Sequence, residues 1–329
     1  MALPFAARLL PGLAALISAA ALLPAPAKAQ QSDRFPSSTV TIVVPFQAGG
    51  ANDFVARTVA QPLSDTWKVP VVVENRVGAA GNIAADFVAR APASGHTILL
   101  GAVSMVTNPP LYKIQPYLPR VLTPVGVGVT GHLVTIARAD FPARDIPGML
   151  ALSASKAGGL NAASAGAGTL SHLGLELLAS SHKAKLNHIP YKGSAPALND
   201  VMGAQVDVMI DTIVTAAPLI AAGKVKALAV HSPRRSPVLP GVPTYEEQGV
   251  KGMSFSAWNM FVVPTATPAD RVAALNAALA KVMREPAIAK ALADRGLDVI
   301  VQTPAESLEF MRNDAQRWEK VIKDKNISM

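Results

Sequence analysis

Four short glycine-bearing segments carry most of the groups in this chain that could do chemistry. The first is Val43-Val44-Pro45-Phe46-Gln47-Ala48-Gly49-Gly50-Ala51-Asn52-Asp53. An apolar run ends there, and two glycines let backbone amides face outward as a helix begins. A helix N-terminus leaves unpaired N–H donors and carries partial positive charge, so such a turn suits an anion. An ordinary strand–helix turn capped by Asn52 or Asp53 fits the same residues. The second segment, Glu74-Asn75-Arg76-Val77-Gly78-Ala79-Ala80-Gly81-Asn82, repeats the pattern, and Ala79, Ala80 and Gly81 are small enough for close approach. In an open parallel sheet, ligands bind beyond the carboxyl ends of adjacent strands. Two such loops on neighbouring strands would form one donor-rich wall, and Ser104, beyond a third strand, joins the same set.

The third segment, Ala163-Ser164-Ala165-Gly166-Ala167-Gly168-Thr169-Leu170-Ser171-His172, is another strand–loop–helix entry. Thr169 either caps that helix or meets a ligand, and His172 either faces solvent or joins it. The fourth, Pro190-Tyr191-Lys192-Gly193-Ser194, offers one cation and a Tyr that can pack flat while donating its hydroxyl. Asp211 follows the apolar run Val206–Ile210, at a strand end. Two chemistries fit these groups. One is a binding module closing around an anion. The other is an exported hydrolase using Ser164 or Thr169 with His172 and Asp211. A nucleophile needs a base within hydrogen-bond reach and a third group orienting that base. Ser164 or Thr169 and His172 share one helix start and are poorly aimed at each other, which favours binding over catalysis.

Other motifs carry no chemistry. Gly126-Val127-Gly128-Val129-Thr130-Gly131 matches a dinucleotide fingerprint letter for letter, but it lies in a β-branched run leading into a strand. The six histidines show no metal-ligand spacing, and no Gly-x-Ser-x-Gly elbow exists. Neither cofactor nor metal is expected.

These segments must be held by an α/β framework. Strands are predicted at Val40–Val44, Val69–Glu74 and Thr97–Gly101, with helices between them. One helix starts near Ala51 with Phe54, Val55, Val59 and Leu63 on one face; the next is marked by Ile83, Ala84, Phe87 and Val88. Strand–helix alternation with β-branched runs means a parallel sheet covered on both faces. From Pro109 to Val129 a Pro-rich loop gives way to a Val/Gly-rich strand, and Leu133–Ala137 opens a second series. That series has a helix near Asp145–Ser155, a strand at Asn161–Ser164 and a helix after Gly168. Further strands follow at Lys185–Ile189, Val206–Ile210 and Val225–Val230. After the turn-rich stretch Pro233–Gly249 comes a strand at Ser254–Val263. Two helices then close the chain, capped by Thr267 and Thr303, each followed by Pro and an acid. Leu308, Met311, Ala315, Trp318 and Ile322 form an apolar stripe that packs inward. Two series joined by two crossing strands predict two lobes around a cleft, one of residues 30–134 plus 254–329 and the other of 135–253.

Taken in order, these pieces resemble the tripartite tricarboxylate transporter receptors, also called Bug proteins, a family of periplasmic binding proteins. In the first lobe the match is Val44-Pro45-Phe46 with Gly49-Gly50 and Asp53, Glu74-Asn75-Arg76 with Gly78-Ala79 and Gly81-Asn82, and Asn108-Pro109 with Leu111-Tyr112. In the second it is Ser164-Ala165-Gly166 with Gly168-Thr169 and His172, Pro190-Tyr191-Lys192-Gly193 and Leu228-Ala229-Val230. Pro243-Thr244 and Trp258-Asn259 complete it. Gln47-Ala48, Ala80 and Ser94 depart from the family's usual residues. The resemblance implies a two-lobed binding-protein fold, each lobe a mainly parallel sheet flanked by helices. It also implies a carboxylate-bearing solute held largely by the first two glycine loops, and a membrane transporter as partner.

The N-terminus adds an address. Arg8, a Leu/Ala-rich run from Leu13 to Leu23, and Ala27-Lys28-Ala29 ahead of Gln30 form a secretory signal over residues 1–29. The apolar run is shorter than the roughly 20 residues a span needs. With no cysteine in the chain there is no lipid anchor and no disulfide, so a free periplasmic monomer is expected. Removing Arg8 and Lys28 leaves 28 basic residues from 30, against 22 acidic, a net +6. That balance draws anionic solutes or serves surface solubility. The basic residues are scattered, without aromatic interleaving, which argues against nucleic acid.

Overall fold

Short β-branched runs become strands here because helices cover their faces. The computed structural model describes residue 1 and residues 35–113, 117–118 and 120–327. Apart from Met1, the expected export signal lies outside the described residues. β1 (Val40–Val44) sits between β2 (Val71–Asn75) and β3 (Thr97–Ala102), parallel to both. Parallel neighbours need crossovers, supplied by α1 (Ala51–Trp67) and α2 (Asn82–Ala89). α1 buries Val55, Val59 and Leu63 at helical spacing.

The second half repeats this plan. β5 (Leu160–Ser164) lies between β6 (Leu186–Pro190) and β7 (Val208–Thr212), again parallel to both. α4 (Ile146–Ser155) leads in, and α5 (Leu170–His182) and α6 (Ser194–Met202) cross over. α7 (Ile213–Ala221) leads on to β8 (Val225–Val230).

The halves are joined by β4 (Leu122–Arg138) and β9 (Ser256–Pro264). The sequence suggests a crossing strand near Val125–Ala137, with a second series opening at Leu133; the structure extends that strand to 17 residues with no break at Leu133. The N-terminal part of β4 pairs antiparallel with β9 and with β10 (Leu297–Val301), its C-terminal part with β7 and β8. The strand order is β2-β1-β3-β9-β4-β7-β5-β6. The sheet is therefore mixed. Its outer strands are parallel, as expected from the strand–helix alternation, and the joining strands are antiparallel. Gly126 shows why β4 is glycine-rich: φ is +96°, and a Cβ would lie 2.4 Å from the Gln302 carbonyl where β10 ends. The dinucleotide-like spacing thus serves strand packing.

Three elements escape the sequence reading, which has two closing helices where the structure adds a short third, Pro286–Ala293, between them. α3 (Ser104–Tyr112) contains Pro109 and Pro110 in its last turns and stops at Lys113, whose φ is 54°. β10 is a five-residue run between helices, stabilised by β4 rather than by its own length. The chain closes with three helices, α8 (Ala269–Met283), α9 (Pro286–Ala293) and α10 (Pro304–Asp324). Thr303 caps α10 in a reciprocal box with Glu306. Thr267 lies one residue too early to cap α8, and its hydroxyl is buried without a partner. α10 packs Met311, Trp318 and Ile322 against β4 and α3, and the Trp258 indole donates to Asp314 at 2.8 Å.

Candidate functional site

Five helices begin around one cavity. α1 starts at the end of β1, α3 just after β3, α5 after β5, α6 after β6 and α7 after β7. Gly50 and Asn52 of the first entry, Ser104 of α3, Thr169 and Ser171 of α5, Ser194 of α6 and Thr212 of α7 all line it. Each entry brings first-turn amides that the helix itself cannot satisfy. The cavity holds about 80 Å³, several times the roughly 10–15 Å³ one water needs. Phe46, Leu133 and Trp258 supply apolar walls, and Asn259 adds a side-chain amide.

The electrostatics are unusual for an anion site. Asp211 alone among the lining residues carries an ionisable side chain, and no Lys or Arg is present among them. Burial pushes Asp211 up to about 6, against hydrogen bonds from Ser194, Thr215 and the Thr212 backbone. Ser194 Oγ and Thr215 Oγ1 each donate to its carboxylate at 2.6 Å. Positive potential here comes from backbone dipoles rather than from basic side chains.

Asp53 stands behind this wall. Burial raises its pKa, but Arg57, the Gly49 amide and Asn75 together outweigh that and hold it below the usual carboxylate range. Its carboxylate accepts from Gly49 N at 3.0 Å, Arg57 Nε at 2.9 Å and Asn75 Nδ2 at 3.1 Å. Asp53 thus shapes the Gly49–Gly50 turn from outside the cavity.

Of the residues the sequence nominates, Phe46, Gly50, Asn52, Ser104, Thr169 and Asp211 line the cavity together. The others sit around it. Ala79, Ala80 and Gly81 form a tight 3-10 turn with Ala80 at φ 50°. Gly81 lies against a separate hole of about 10 Å³ shared with Pro45, Ser104 and Asn108. The Ala80 carbonyl accepts from Asn108 at 3.1 Å. A Cβ on Gly168 would lie 3.3 Å from that of Ala80 and 2.9 Å from Asn108 Oδ1. Gln47 faces Gly193, where a Cβ would stand 3.4 Å away. Tyr191 turns from the cavity and donates to Asp200 at 2.5 Å, and Lys192 is exposed. Ser194, Trp258 and Asn259 line the cavity although sequence reasoning assigns them no role. Ser194 was legible as the first residue after a glycine turn, a position shared by the other loops.

Two side-chain hydrogen bonds run between the halves. Thr107 Oγ1 donates to the Gly168 carbonyl at 3.3 Å, and the Tyr112 hydroxyl to Ala167 at 3.3 Å.

The nucleophile constellation does not assemble. Ser164 is fully buried and pairs with His188 at 2.7 Å, not with His172. Thr169 Oγ1 donates to the Gly166 carbonyl at 2.6 Å and caps α5. Asp211 touches Ser194 and Thr215 rather than a histidine.

Residues 55–327 match the family model for the tripartite tricarboxylate transporter family receptor. The chain belongs to this receptor family. The receptor is 38% identical over 297 residues to a curated relative from Pseudomonas sp. strain P51, the UPF0065 protein in the tcbD-tcbE intergenic region. That alignment covers 90% of this chain and 88% of the relative. Among solved structures, periplasmic binding protein BugD superposes with a TM-score of 0.85 at 36% identity, over 89% of this chain and 99% of that one. MatC from Rhodopseudomonas palustris, with bound malate, gives 0.82 at 34% identity, over 88% and 100%. The receptor has the α/β periplasmic-binding-protein fold and is a solute-binding protein, not an enzyme.

Proposed function

We propose that this receptor captures a small carboxylate-bearing organic acid in the cavity where the five helices begin. The carrying observation is that ring of helix N-termini around a space lined by no basic side chain. Backbone donors recognise a carboxylate without selecting its carbon skeleton. Phe46, Gly50, Asn52, Ser104, Thr169 and Asp211 contact the solute. Gln47, Gly49, Asp53, Ala79, Ala80, Gly81, Ser164, Gly168, His172, Tyr191 and Lys192 shape or rim the loops that do. The malate in MatC supports this solute class.

The two lobes are residues 30–134 with 254–329, and 135–253, with β4 and β9 as the hinge strands. The receptor acts as a monomer that delivers its solute to a membrane transporter of the tripartite tricarboxylate type. It works in the periplasm after cleavage near Gln30. Family membership and the likeness to BugD, a periplasmic binding protein, support that placement. No helix among the described residues is long and apolar enough to cross a membrane.

Thermal unfolding with a panel of organic acids and their amides tests the proposal. A ligand at 100 times its Kd adds about 2.7 kcal/mol, which is several degrees for a chain of this size. At least one acid shifts Tm and its amide does not; equal shifts from acid and amide refute carboxylate recognition.

A further inference from the structure

His172, in the first turn of α5, and His188, in the middle of β6, lie face to face. Their ring centroids are 4.0 Å apart and their planes 14° from parallel. Hydrogen bonds dictate the proton on each ring. The Gly168 amide donates to His172 Nδ1 at 3.1 Å. That nitrogen therefore carries no proton, and the neutral ring holds its proton on Nε2, 3.4 Å from Glu176. Ser164 Oγ accepts from the Gly166 amide at 3.2 Å, and His188 Nε2, 2.7 Å away, is the acceptor within reach of its own proton among the described residues, which assigns the hydroxyl as donor and Nε2 as the bare nitrogen. Ser164 and His188 are diagonal neighbours across the β5–β6 ladder, which brings such side chains within reach.

The two rings thus terminate two short relays that hold the amides of Gly166 and Gly168. Carbonyls of the same loop, Ala167 and Gly168, accept Tyr112 and Thr107 from the other half. The histidine pair stands behind the loop and the contact between the halves in front of it.

His172, Glu176 and His188 bring potential metal-ligand atoms within 4.8 Å of one another. Parallel stacked rings, however, cannot aim two in-plane lone pairs at one ion. A metal on His172 Nε2 would also force a proton onto Nδ1, against the Gly168 amide. The cluster is built for hydrogen bonding.

We propose that His172 and His188 are positioning residues, a neutral stacked pair that holds the Gly166–Gly168 loop where it meets Thr107 and Tyr112. A proton on either ring frees the loop. On His172 it sets N–H against N–H at Gly168. On His188 it leaves the buried Ser164 hydroxyl proton without an acceptor. The effect on solute affinity, a loss at acid pH, rests on the function proposed above.

The surroundings favour the neutral pair. Burial, then the His172 charge, pushes His188 down to about 4, while Glu176 acts the other way. Neither β5 nor the rest of β6 offers another titratable group. β7 offers Asp211, held by Ser194 and Thr215. At the far end of α5, His182 bonds the Lys251 carbonyl. His188, whose pKa is lower in the held state than in the free state, favours that state above about 6.5. The preference is lost as pH falls toward 4.

The test uses the full receptor without solute, so its outcome is separate from whether any carboxylate binds. Nitrogen-15 histidine spectra at neutral pH are expected to show His172 protonated on Nε2 and His188 on Nδ1. Gly168 amide exchange, corrected for intrinsic rate, is expected to speed about five- to tenfold at acid pH, the signature of losing one hydrogen bond. His172→Asn keeps an acceptor near the Nδ1 position but cannot take a proton; it is expected to retain Gly168 protection at neutral pH and to keep only the part of the acid response that His188 carries. His172→Leu exchanges fast at every pH. His172 protonated on Nδ1 at neutral pH, or Gly168 protection unchanged by acid or by His172→Leu, overturns the proposal.

Discussion

Asn75 Nδ2 donates to the Phe46 carbonyl at 2.9 Å and to Asp53 Oδ1 at 3.1 Å. The end of β2 therefore fixes the turn that follows β1, and with it the first wall of the cavity. Asn75→Ala removes both bonds, and with them the longer one that Asn75 Oδ1 accepts from Arg57 at 3.3 Å, while leaving the strand pairing intact. One of the two bonds runs to a charged acceptor, so the loss is about 1–3 kcal/mol and a fall in Tm of several degrees. Differential scanning calorimetry checks this. An unchanged Tm would mean that the turn is held by Gly49–Asp53 alone.

That tether also marks how far the sequence is readable. The Glu74-Asn75-Arg76 run reads as a loop placing backbone amides beside a ligand. In the fold, Asn75 works through its side chain on the neighbouring loop, and the cavity receives Ser104 instead of Ala79–Gly81. Strand–helix alternation is local, so β1–β3 and β5–β7 are visible as periodicity and turn residues. A crossing strand near Val125–Ala137 is visible, but the full length of β4 is hidden because its glycines are breakers locally, yet Gly126, Gly128 and Gly131 sit where β9 and β10 approach it closely. Ser194, Trp258 and Asn259 reach the cavity from elements far apart in the chain, and their convergence is a tertiary fact.

Asp211 makes stability pH-dependent in an unusual direction. Its folded pKa of about 6 lies above that of a free carboxyl. Between the two values the native state binds more protons than the unfolded chain, so stability falls as pH rises from about 4 to about 6. Asp211→Asn keeps groups that can pair with the Ser194 and Thr215 hydroxyls and cannot ionise. Relative to wild type it is expected to gain about 2–3 kcal/mol between pH 4 and neutrality. Urea unfolding of both proteins at the two pH values measures it. Identical pH slopes would show that Asp211 ionises freely in its buried site.

Ser104 offers the sharpest test of where the solute sits. It is the first residue of α3 and nearly buried, and it lines both the main cavity and the small hole behind it. A helix start tolerates an acid, so Ser104→Asp is expected to fold and to melt near wild type without ligand. Inside the cavity the new carboxylate faces a bound carboxylate with no basic side chain among the lining residues to screen it. Two such charges about 4 Å apart at intermediate dielectric repel by about 4 kcal/mol, roughly a thousandfold in affinity. Ser104→Asn, of the same size and neutral, separates charge from shape. Whichever acid raises the Tm of wild type is expected to raise that of Ser104→Asn nearly as far and to leave Ser104→Asp unmoved. If Ser104→Asp responds as wild type does, the acid is held outside this cavity, and the ring of helix starts is not the binding site.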